Sequence, residues 1–238
     1  MAYLKNWDNK TWLSSNEYVD SFINFLLKNK KLNKDSSILD IGCGRGKILG
    51  KINTKIRLKK KPIGIDPINH KDKDRNFIFK KIDTFKFLNN NQIKFDLIII
   101  KQAIHFFPLK DIPRLIKCCQ NSLNENGKLM IFSMDQKRNQ IPTFHKMQKR
   151  LQISFKRDAK IRQKILKNSK NIKDQVFRFK VKIKLRSYLS MIKQRYISVL
   201  LDFSEKELTK GIQEIENRYS KIINFTDSLS CLTINKND

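Results

Sequence analysis

One stretch decides the fold of this chain, Ile38-Leu39-Asp40-Ile41-Gly42-Cys43-Gly44-Arg45-Gly46. Its first residues continue an apolar run from Ser37 and predict a short strand. The stretch then places three of the chain's seven glycines within five residues. Glycine is needed where the backbone is left-handed or lies close to another group, and at a strand–turn–helix junction that group is typically a nucleotide-like ligand.

Two well-known nucleotide-binding loops do not fit this stretch. The dinucleotide pattern GxGxxG fails because Lys47 and Leu49 stand where a third glycine is needed. A P-loop fails as well, since no Gly-Lys-Ser/Thr follows the glycines. The acidic residue two positions before the first glycine, Asp40, favours a ligand that carries an amino group or a cation over pyrophosphate.

The first half of the chain alternates between strand and helix patterns. Apolar runs predict strands over residues 37–41, 61–66, 77–82, 94–100 and 128–134. Helices are predicted from a capping box at residues 14–17 to about Lys30, from about Arg45, and over residues 111–123. Because each strand is a continuous apolar run, we predict a parallel sheet with helices on both faces, which is a doubly wound α/β fold.

The alternation stops near Asp135. Residues 135–203 are strongly basic and predict an insertion, while residues 1–134 and 204–238 form the core domain. Inside the insertion, residues 177–186 alternate apolar with cationic side chains, which predicts a half-buried strand from Phe177 to Leu185. A second capping box opens a helix at Ser204, and residues 222–225 and 229–234 predict a closing antiparallel hairpin.

Two further carboxylates stand at the ends of predicted strands. Asp66 ends the second strand, where a carboxylate can accept both hydroxyls of a ribose. Asp83 follows the third strand, where it can face an adenine amino group. Ordinary turn residues at strand ends are the alternative interpretation of both.

Together these features resemble the class I S-adenosylmethionine-dependent methyltransferases. Residues 38–46 resemble that family's first motif, and Asp66, the Asp83 segment and Phe95-Asp96-Leu97 match its later motifs in order and spacing. The resemblance covers about residues 15–134 and 204–235. It implies a Rossmann-like seven-stranded sheet with an antiparallel last strand, an α-rich substrate lid inserted after the fifth strand, and methyl transfer from S-adenosylmethionine, which leaves S-adenosylhomocysteine.

The resemblance also implies which residues bind the cofactor. The methionine part lies against Asp40 and the glycine loop, the ribose against Asp66, and the adenine against Ile82 and Asp83. The segment after the fourth strand flanks the methyl group. The complete predicted set is Asp40, Gly42, Cys43, Gly44, Gly46, Asp66, Pro67, Ile82, Asp83, Lys101 and Gln102.

The segment after the fourth strand bears on the substrate. Methyltransferases that act on nucleic-acid amines carry Asn or Asp followed by Pro-Pro-aromatic there, whereas this chain has Lys101-Gln102-Ala103-Ile104-His105-Phe106-Phe107. That segment resembles the small-molecule members, of the type 11 and trans-aconitate methyltransferase kind. His105 is the candidate catalytic base or substrate contact, and a histidine packed under the next helix is the alternative. His70 and His145 are predicted to be solvated.

The predicted substrate contacts come from both ends of the chain. Residues 188–201 resemble the lid of trans-aconitate-type enzymes, and Arg195 there can clamp a carboxylate or phosphate. Aromatic residues near the N-terminus can close over the cofactor, although core packing is the alternative for them. The complete predicted set is Trp7, Trp12, Tyr18, His105, Tyr188, Arg195 and Tyr196.

Composition limits the class of protein. The net charge of +29 has two explanations, the lysine excess of an AT-rich genome and a basic surface for an anionic partner. Four cysteines without metal-ligand spacing predict reduced thiols and no metal site. Without a predicted membrane span or signal peptide, we expect a cytoplasmic protein. We also expect a monomer or homodimer, and residues 101–107 and Arg195 favour a small anionic metabolite as the substrate. An RNA methyltransferase and a non-catalytic cofactor-binding protein are the rival hypotheses.

Overall fold

The computed structural model describes residues 11–236, so Trp7 lies outside the described residues. Within this range the helices are α1 Asn16–Asn29, α2 Lys47–Ile56, α3 Thr84–Asn90, α4 Ile112–Asn121, α5 His145–Asn168, α6 Leu185–Lys193 and α7 Glu205–Glu216. The strands are β1 Ile38–Ile41, β2 Ile63–Asp66, β3 Ile78–Lys81, β4 Phe95–Lys101, β5 Leu123–Met134, β6 Lys173–Lys184 and β7 Ile222–Asn235.

The strands form one seven-stranded sheet in the order β3-β2-β1-β4-β5-β7-β6. Strands β1 to β5 pair in parallel, and β7 runs antiparallel to β5, with Leu129 opposite Ile234. The predicted doubly wound α/β fold with an antiparallel last strand is therefore confirmed. Strands β1 and β4 are mostly apolar because they lie in the middle of the sheet, where Leu39, Ile98 and Ile100 are fully buried.

The chain divides into two compact units. One comprises Val19–Met134, Asp158–Phe177 and the described residues from Leu229 onward, and it holds β1 to β5. The other comprises the described residues through Tyr18 together with Asp135–Arg157 and Arg178–Ser228. Among residues 11–236, no helix is long and apolar enough to cross a membrane.

The predicted C-terminal hairpin is wrong, because residues 222–235 form the single strand β7. The polar residues between the two predicted strands are held in extended conformation by the segment that follows β5. The Gln140 N–H donates to the Thr226 carbonyl at 2.9 Å, and the Asn139 amide donates to the Asp227 carboxylate at 2.8 Å. These partners satisfy the polar groups that otherwise indicate a turn.

The alternating segment is a half-buried strand, as predicted, with shifted bounds. Strand β6 buries Phe177 and Val181 and exposes the cationic residues between them. It begins earlier than predicted, at Lys173, and it ends at Lys184. Leu185 and Arg186, predicted to continue the strand, instead form the first turn of α6.

The two predicted helix caps differ in outcome. At α7 the capping box is confirmed, since the Ser204 hydroxyl accepts the Glu207 N–H and the Glu207 carboxylate accepts the Ser204 N–H. At α1 the predicted register is wrong by one residue. The Ser15 hydroxyl accepts the Tyr18 N–H at 3.1 Å, while the Ser14 hydroxyl donates to the Thr11 carbonyl within a 3₁₀ turn.

Candidate functional site

The turn after β1 is built from left-handed glycines. Gly42, Gly44 and Gly46 have φ angles of 75°, 55° and 72°, which other residues adopt only with strain. The turn is fastened to β2, because the Gly42 and Cys43 N–H groups both donate to the Ile65 carbonyl, at 2.9 and 3.2 Å. The sequence therefore folds into a tight turn at the carboxyl ends of two neighbouring parallel strands.

Close packing is a second reason for glycine in this turn. A Cβ atom added to Gly42 would lie 2.5 Å from the Ala103 Cβ, in the segment that follows β4. One added to Gly46 would lie 2.2 Å from the Phe77 ring. From the sequence, the glycines are expected to let a ligand lie close to the backbone. The structure shows that Ala103 and Phe77 also lie where the side chains of other residues would stand.

The Asp66 carboxylate, at the end of β2, is held by the backbone. One oxygen accepts the Ile68 N–H at 2.8 Å, and the other accepts the Gly44 N–H at 3.1 Å. The residue is only 8% exposed. These bonds fix the orientation of the carboxylate at the place where the sequence predicts ribose binding.

The prediction that His70 is solvated is wrong. This residue is 7% exposed, and its Nε2 lies 3.8 Å from the Asp66 carboxylate. The loop after β2 folds back on the glycine turn, where the Asp74 N–H donates to the Arg45 carbonyl, and this encloses the imidazole. Burial lowers the pKa of His70, which Asp66 opposes and the nearby cations Arg45 and Lys73 reinforce. Its charged loop sequence gave no sign of this burial, whereas His145 is exposed as predicted.

Asp40 is the most unusual group of the site. It is 3% exposed, and its Oδ1 has no hydrogen-bond partner among the described residues. Burial raises the pKa of Asp40 to about 7, with Asp66 adding to the rise and Lys101 opposing it. A buried carboxylate with an open acceptor favours a cationic ligand, since pairing replaces the solvation lost on burial. The residue thus fits a cofactor with an amino group.

Asp83 and Ile82 lie after β3 and have defined structural partners. The Asp83 carboxylate accepts the Lys86 N–H at 3.0 Å and so caps α3, while the side chain itself is exposed. Ile82 packs against the core of the sheet. Their predicted contact with adenine stays a prediction.

The segment after β4 begins with a second left-handed turn. Gln102 has φ 52°, and its N–H donates to the Phe132 carbonyl at 2.8 Å. The Lys101 amine donates to the Gln102 side-chain oxygen at 3.3 Å and lies 5.5 Å over the Phe22 ring. A 3₁₀ turn, Ile104–Phe106, then carries His105, whose half-buried ring lies 4.2 Å from that of the exposed Phe106.

The remaining cofactor candidates are Cys43 and Pro67. Burial, with the charges of Asp40 and Asp66, raises the pKa of the Cys43 thiol, so it is no nucleophile at neutral pH. Pro67 is exposed and directly follows Asp66. Near Cys43, the bare backbone of Gly64 leaves room for the sulfur, since a Cβ there would lie 2.7 Å from it.

Four predicted substrate contacts are aromatic residues buried in the other unit. The Trp12 indole N–H donates to the Asp227 carboxylate at 2.9 Å, and its ring packs against those of Tyr188 and Tyr196. The Tyr188 hydroxyl donates to the Pro142 carbonyl at 2.6 Å, and Tyr18 packs edge-on against Phe179. This is core packing, the alternative noted from the sequence. Substrate contact by these residues stays a prediction.

Arg195, in the same unit, is engaged twice. Its guanidinium donates to the Phe203 carbonyl at 2.7 Å and pairs with the Glu205 carboxylate at 2.8 Å. The Glu205 side chain is 73% exposed. Arg195 therefore binds a carboxylate in the structure, one supplied by the chain itself.

Comparison with known proteins identifies the family and the fold. A family described as a methyltransferase domain matches residues 12–174, and the chain belongs to this family, which uses S-adenosylmethionine. The residues of the glycine turn and Asp40 fit that cofactor. No curated protein matches the chain.

Solved structures share the fold along nearly the whole chain. The plantazolicin methyltransferase BpumL, crystallised with a triazolic desmethylPZN analog and SAH, is 16% identical with TM-score 0.52, covering 97% of this chain and 88% of that one. A protein of Anabaena variabilis described as a methyltransferase from an antibiotic biosynthesis pathway is 15% identical with TM-score 0.58, covering 90% and 96%. The cyclopropane synthase MmaA2 from Mycobacterium tuberculosis is 11% identical with TM-score 0.53, covering 97% and 89%. At these identities the likeness shows the fold alone.

The contact between Gly42 and Ala103 predicts a coupled pair of substitutions. Gly42→Ala should destabilise the protein strongly, because the new methyl group clashes with the Ala103 methyl in a left-handed backbone. Ala103→Gly removes the clash, so the double variant should recover most of the loss and retain a strain of about 1–2 kcal/mol. Urea unfolding of the two single variants and the double variant measures the coupling, and strictly additive effects would contradict the close contact.

The buried carboxylate predicts a pH dependence of stability. Because the pKa of Asp40 is about 7 in the folded state and ordinarily 3.8, the folded state binds the proton more tightly between these values. The free energy of unfolding should therefore fall as pH rises from about 4 to about 7, by a few kcal/mol, and level off above. Asp40→Asn should remove this decline in urea unfolding across that range. Asp202→Asn, at an exposed carboxylate, is the control, and parallel curves for wild type and Asp40→Asn would contradict the prediction.

Proposed function

We propose that this methyltransferase transfers the methyl group of S-adenosylmethionine to a small metabolite that bears a carboxylate or phosphate. The observation that supports an anionic substrate is the ion pair between Arg195 and Glu205. The guanidinium is held in place by the Phe203 carbonyl, while the carboxylate opposite it belongs to a side chain that is mostly in water. Because the Glu205 side chain is 73% exposed, water can solvate its carboxylate once it leaves Arg195, so a substrate carboxylate can replace Glu205 at low cost.

The cofactor residues follow from the glycine turn. We assign Asp40 to binding the amino group of the methionine part, since its Oδ1 is an open acceptor. We assign Gly42 to Gly46 to the turn whose backbone lies close to the methionine part. Asp66, with its orientation fixed by two N–H groups, is assigned to the ribose. Ile82 and Asp83 are assigned to the adenine, and Lys101 and Gln102 to the surroundings of the methyl group.

The chemistry asks little of the protein beyond positioning. The bound sulfonium supplies an already activated methyl carbon, so the chain's own residues orient the acceptor and exclude water. An amine or hydroxyl acceptor also loses a proton, and we assign that proton to His105 in its 3₁₀ turn after β4. A carboxylate acceptor needs no base, in which case His105 only contacts the substrate.

The segment after β4 supports a small acceptor over a nucleic-acid amine. It lacks the Pro-Pro-aromatic sequence of the nucleic-acid amine methyltransferases and carries the Ile104-His105 pair instead. We propose residues 135–203 as the part of the chain that recognises the substrate, through Arg195 and the neighbouring aromatic residues. The core of residues 1–134 and 204–238 then serves the cofactor.

The test is methyl transfer from radiolabelled S-adenosylmethionine to a panel of small carboxylates, phosphates and amines. We expect turnover with at least one anionic acceptor. Cofactor binding without turnover on any acceptor would instead favour the non-catalytic rival.

Two variants then test whether Arg195 binds the anionic group of the acceptor that the panel identifies. Arg195→Ala should raise the KM for the acceptor at least about tenfold, since a charge-assisted pair is lost, and leave the cofactor affinity unchanged. Glu205→Gln removes the carboxylate that competes for Arg195, so it should lower the KM. A KM unchanged in Arg195→Ala, or raised in Glu205→Gln, would contradict the assignment of Arg195 to the substrate.

A further inference from the structure

The positive charge of the chain is concentrated in one segment. Residues 136–201 hold 20 of the 51 Lys and Arg residues but only two of the 22 acidic ones, Asp158 and Asp174. In the remaining 172 residues, 31 basic residues stand against 20 acidic ones. A compositional bias of the genome raises lysine throughout a chain, and it does not empty one segment of acids. The local excess therefore needs a local reason.

Within this segment, β6 carries the most regular array of cations. Arg178, Lys180, Lys182 and Lys184 alternate along the strand and are all exposed, and Arg186 continues the series in the first turn of α6. We call these five residues the β6 cationic row. The side chains between them are buried or half-buried, so the row occupies one face of the strand alone.

The row has no acidic counterpart within the described part of the chain. None of its five cations forms an ion pair there, although other cations of the same unit do, as in Lys146–Glu207 and Arg195–Glu205. Neighbouring like charges repel one another, and the repulsion is relieved only by salt or by an external anion. The row is thus a surface whose charge an anionic partner complements.

The geometry of the row suits a linear polyanion. Alternate residues of a strand lie about 6.6–6.8 Å apart, which is comparable to the distance between successive phosphates of an extended single strand. Strand β6 is the edge strand of the sheet, so one of its sides has no neighbouring strand. No large apolar side chain is exposed within the row, which makes it unlike a membrane-inserting surface.

We propose that the β6 cationic row binds the phosphates of single-stranded RNA. Because the row contains no aromatic residue on which a base can stack, binding is through the backbone and independent of sequence. This surface goes beyond the proposed function, and it does not require RNA to be the methyl acceptor. Lysines on an edge strand also prevent strands of two molecules from pairing, and the experiment below separates that role from RNA binding.

The experiment measures binding of a short fluorescein-labelled single-stranded RNA of mixed sequence by anisotropy, at stepped salt concentrations. The full-length, nuclease-treated wild type is compared with the triple variant Lys180→Gln, Lys182→Gln, Lys184→Gln. We expect the variant to bind at least about tenfold more weakly at low salt. Its slope of log affinity against log salt should be smaller by about 2, since each lost phosphate contact accounts for about 0.7.

A matched control removes the same charge elsewhere. Lys60, Lys110 and Lys117 are exposed and lie outside the basic segment, and their change to Gln should leave RNA affinity within about twofold of wild type. Thermal unfolding and S-adenosylhomocysteine binding, unchanged in both triple variants, show that the fold and cofactor site are intact.

Four results would overturn the proposal. One is no RNA binding by the wild type at low salt, and another is an equal loss of affinity in the two triple variants. The third is a β6 variant that aggregates while its soluble fraction binds RNA as the wild type does, which assigns the row to protection of the edge strand. The last is a competition in which polyglutamate, at equal charge concentration, displaces the labelled RNA as efficiently as unlabelled RNA does. The row would then be assigned to an acidic protein partner and not to RNA.

Discussion

The site depends on the absence of a side chain at two glycines, Gly42 and Gly46. Without a Cβ at Gly42 and Gly46, the turn after β1 packs directly against Ala103 from the β4 end and Phe77 from the start of β3. The left-handed φ angles of the turn let its N–H groups reach the Ile65 carbonyl and the Asp66 carboxylate. Three parallel strands thus have their carboxyl ends drawn together at one point, which is where open α/β sheets bind their ligands.

This close packing has an electrostatic consequence. Asp40 is enclosed with Asp66 nearby, and the charge of Lys101 opposes the resulting rise in the pKa of Asp40. Asp66 is compensated by backbone N–H groups, whereas Asp40 keeps an open acceptor in a buried place. Such an arrangement is destabilising by itself and becomes favourable when a cation is bound. The feature that weakens the protein alone is therefore the one to which we assign the positively charged amino group of the cofactor.

Local sequence patterns predicted the elements whose form is decided locally. The short apolar runs of β1 and β4 are typical of strands in the middle of a sheet, and the alternation around Phe177 is typical of a half-buried strand. The glycines of residues 42–46 marked the site because left-handed backbone excludes most other residues. Two of the wrong predictions, the C-terminal hairpin and the solvated His70, concern features that distant contacts decide. Thr226-Asp227-Ser228 has the composition of a turn, but hydrogen bonds from residues 135–140 keep it extended.

His70 and Arg195, which belong to different units of the chain, each illustrate the same limit. The sequence around His70 is charged and typical of a solvated loop, and its burial beside Asp66 depends on how that loop folds back on Arg45. The guanidinium of Arg195 was predicted to be an anion site from its residue type and its lid-like segment. Its partner Glu205 lies ten residues away, in the capping box of α7, which predicts the start of a helix and not an ion pair with Arg195.

Isothermal titration of the nuclease-treated protein with S-adenosylhomocysteine, for the wild type and for Gly44→Asp, measures most directly whether the glycine turn binds the cofactor. We expect binding at one site in the wild type and none in the variant. In the variant, a new carboxylate stands beside Asp66 in a turn whose N–H groups are already used. No heat with the wild type, or equal binding by both proteins, would contradict the assignment of the glycine turn to the cofactor.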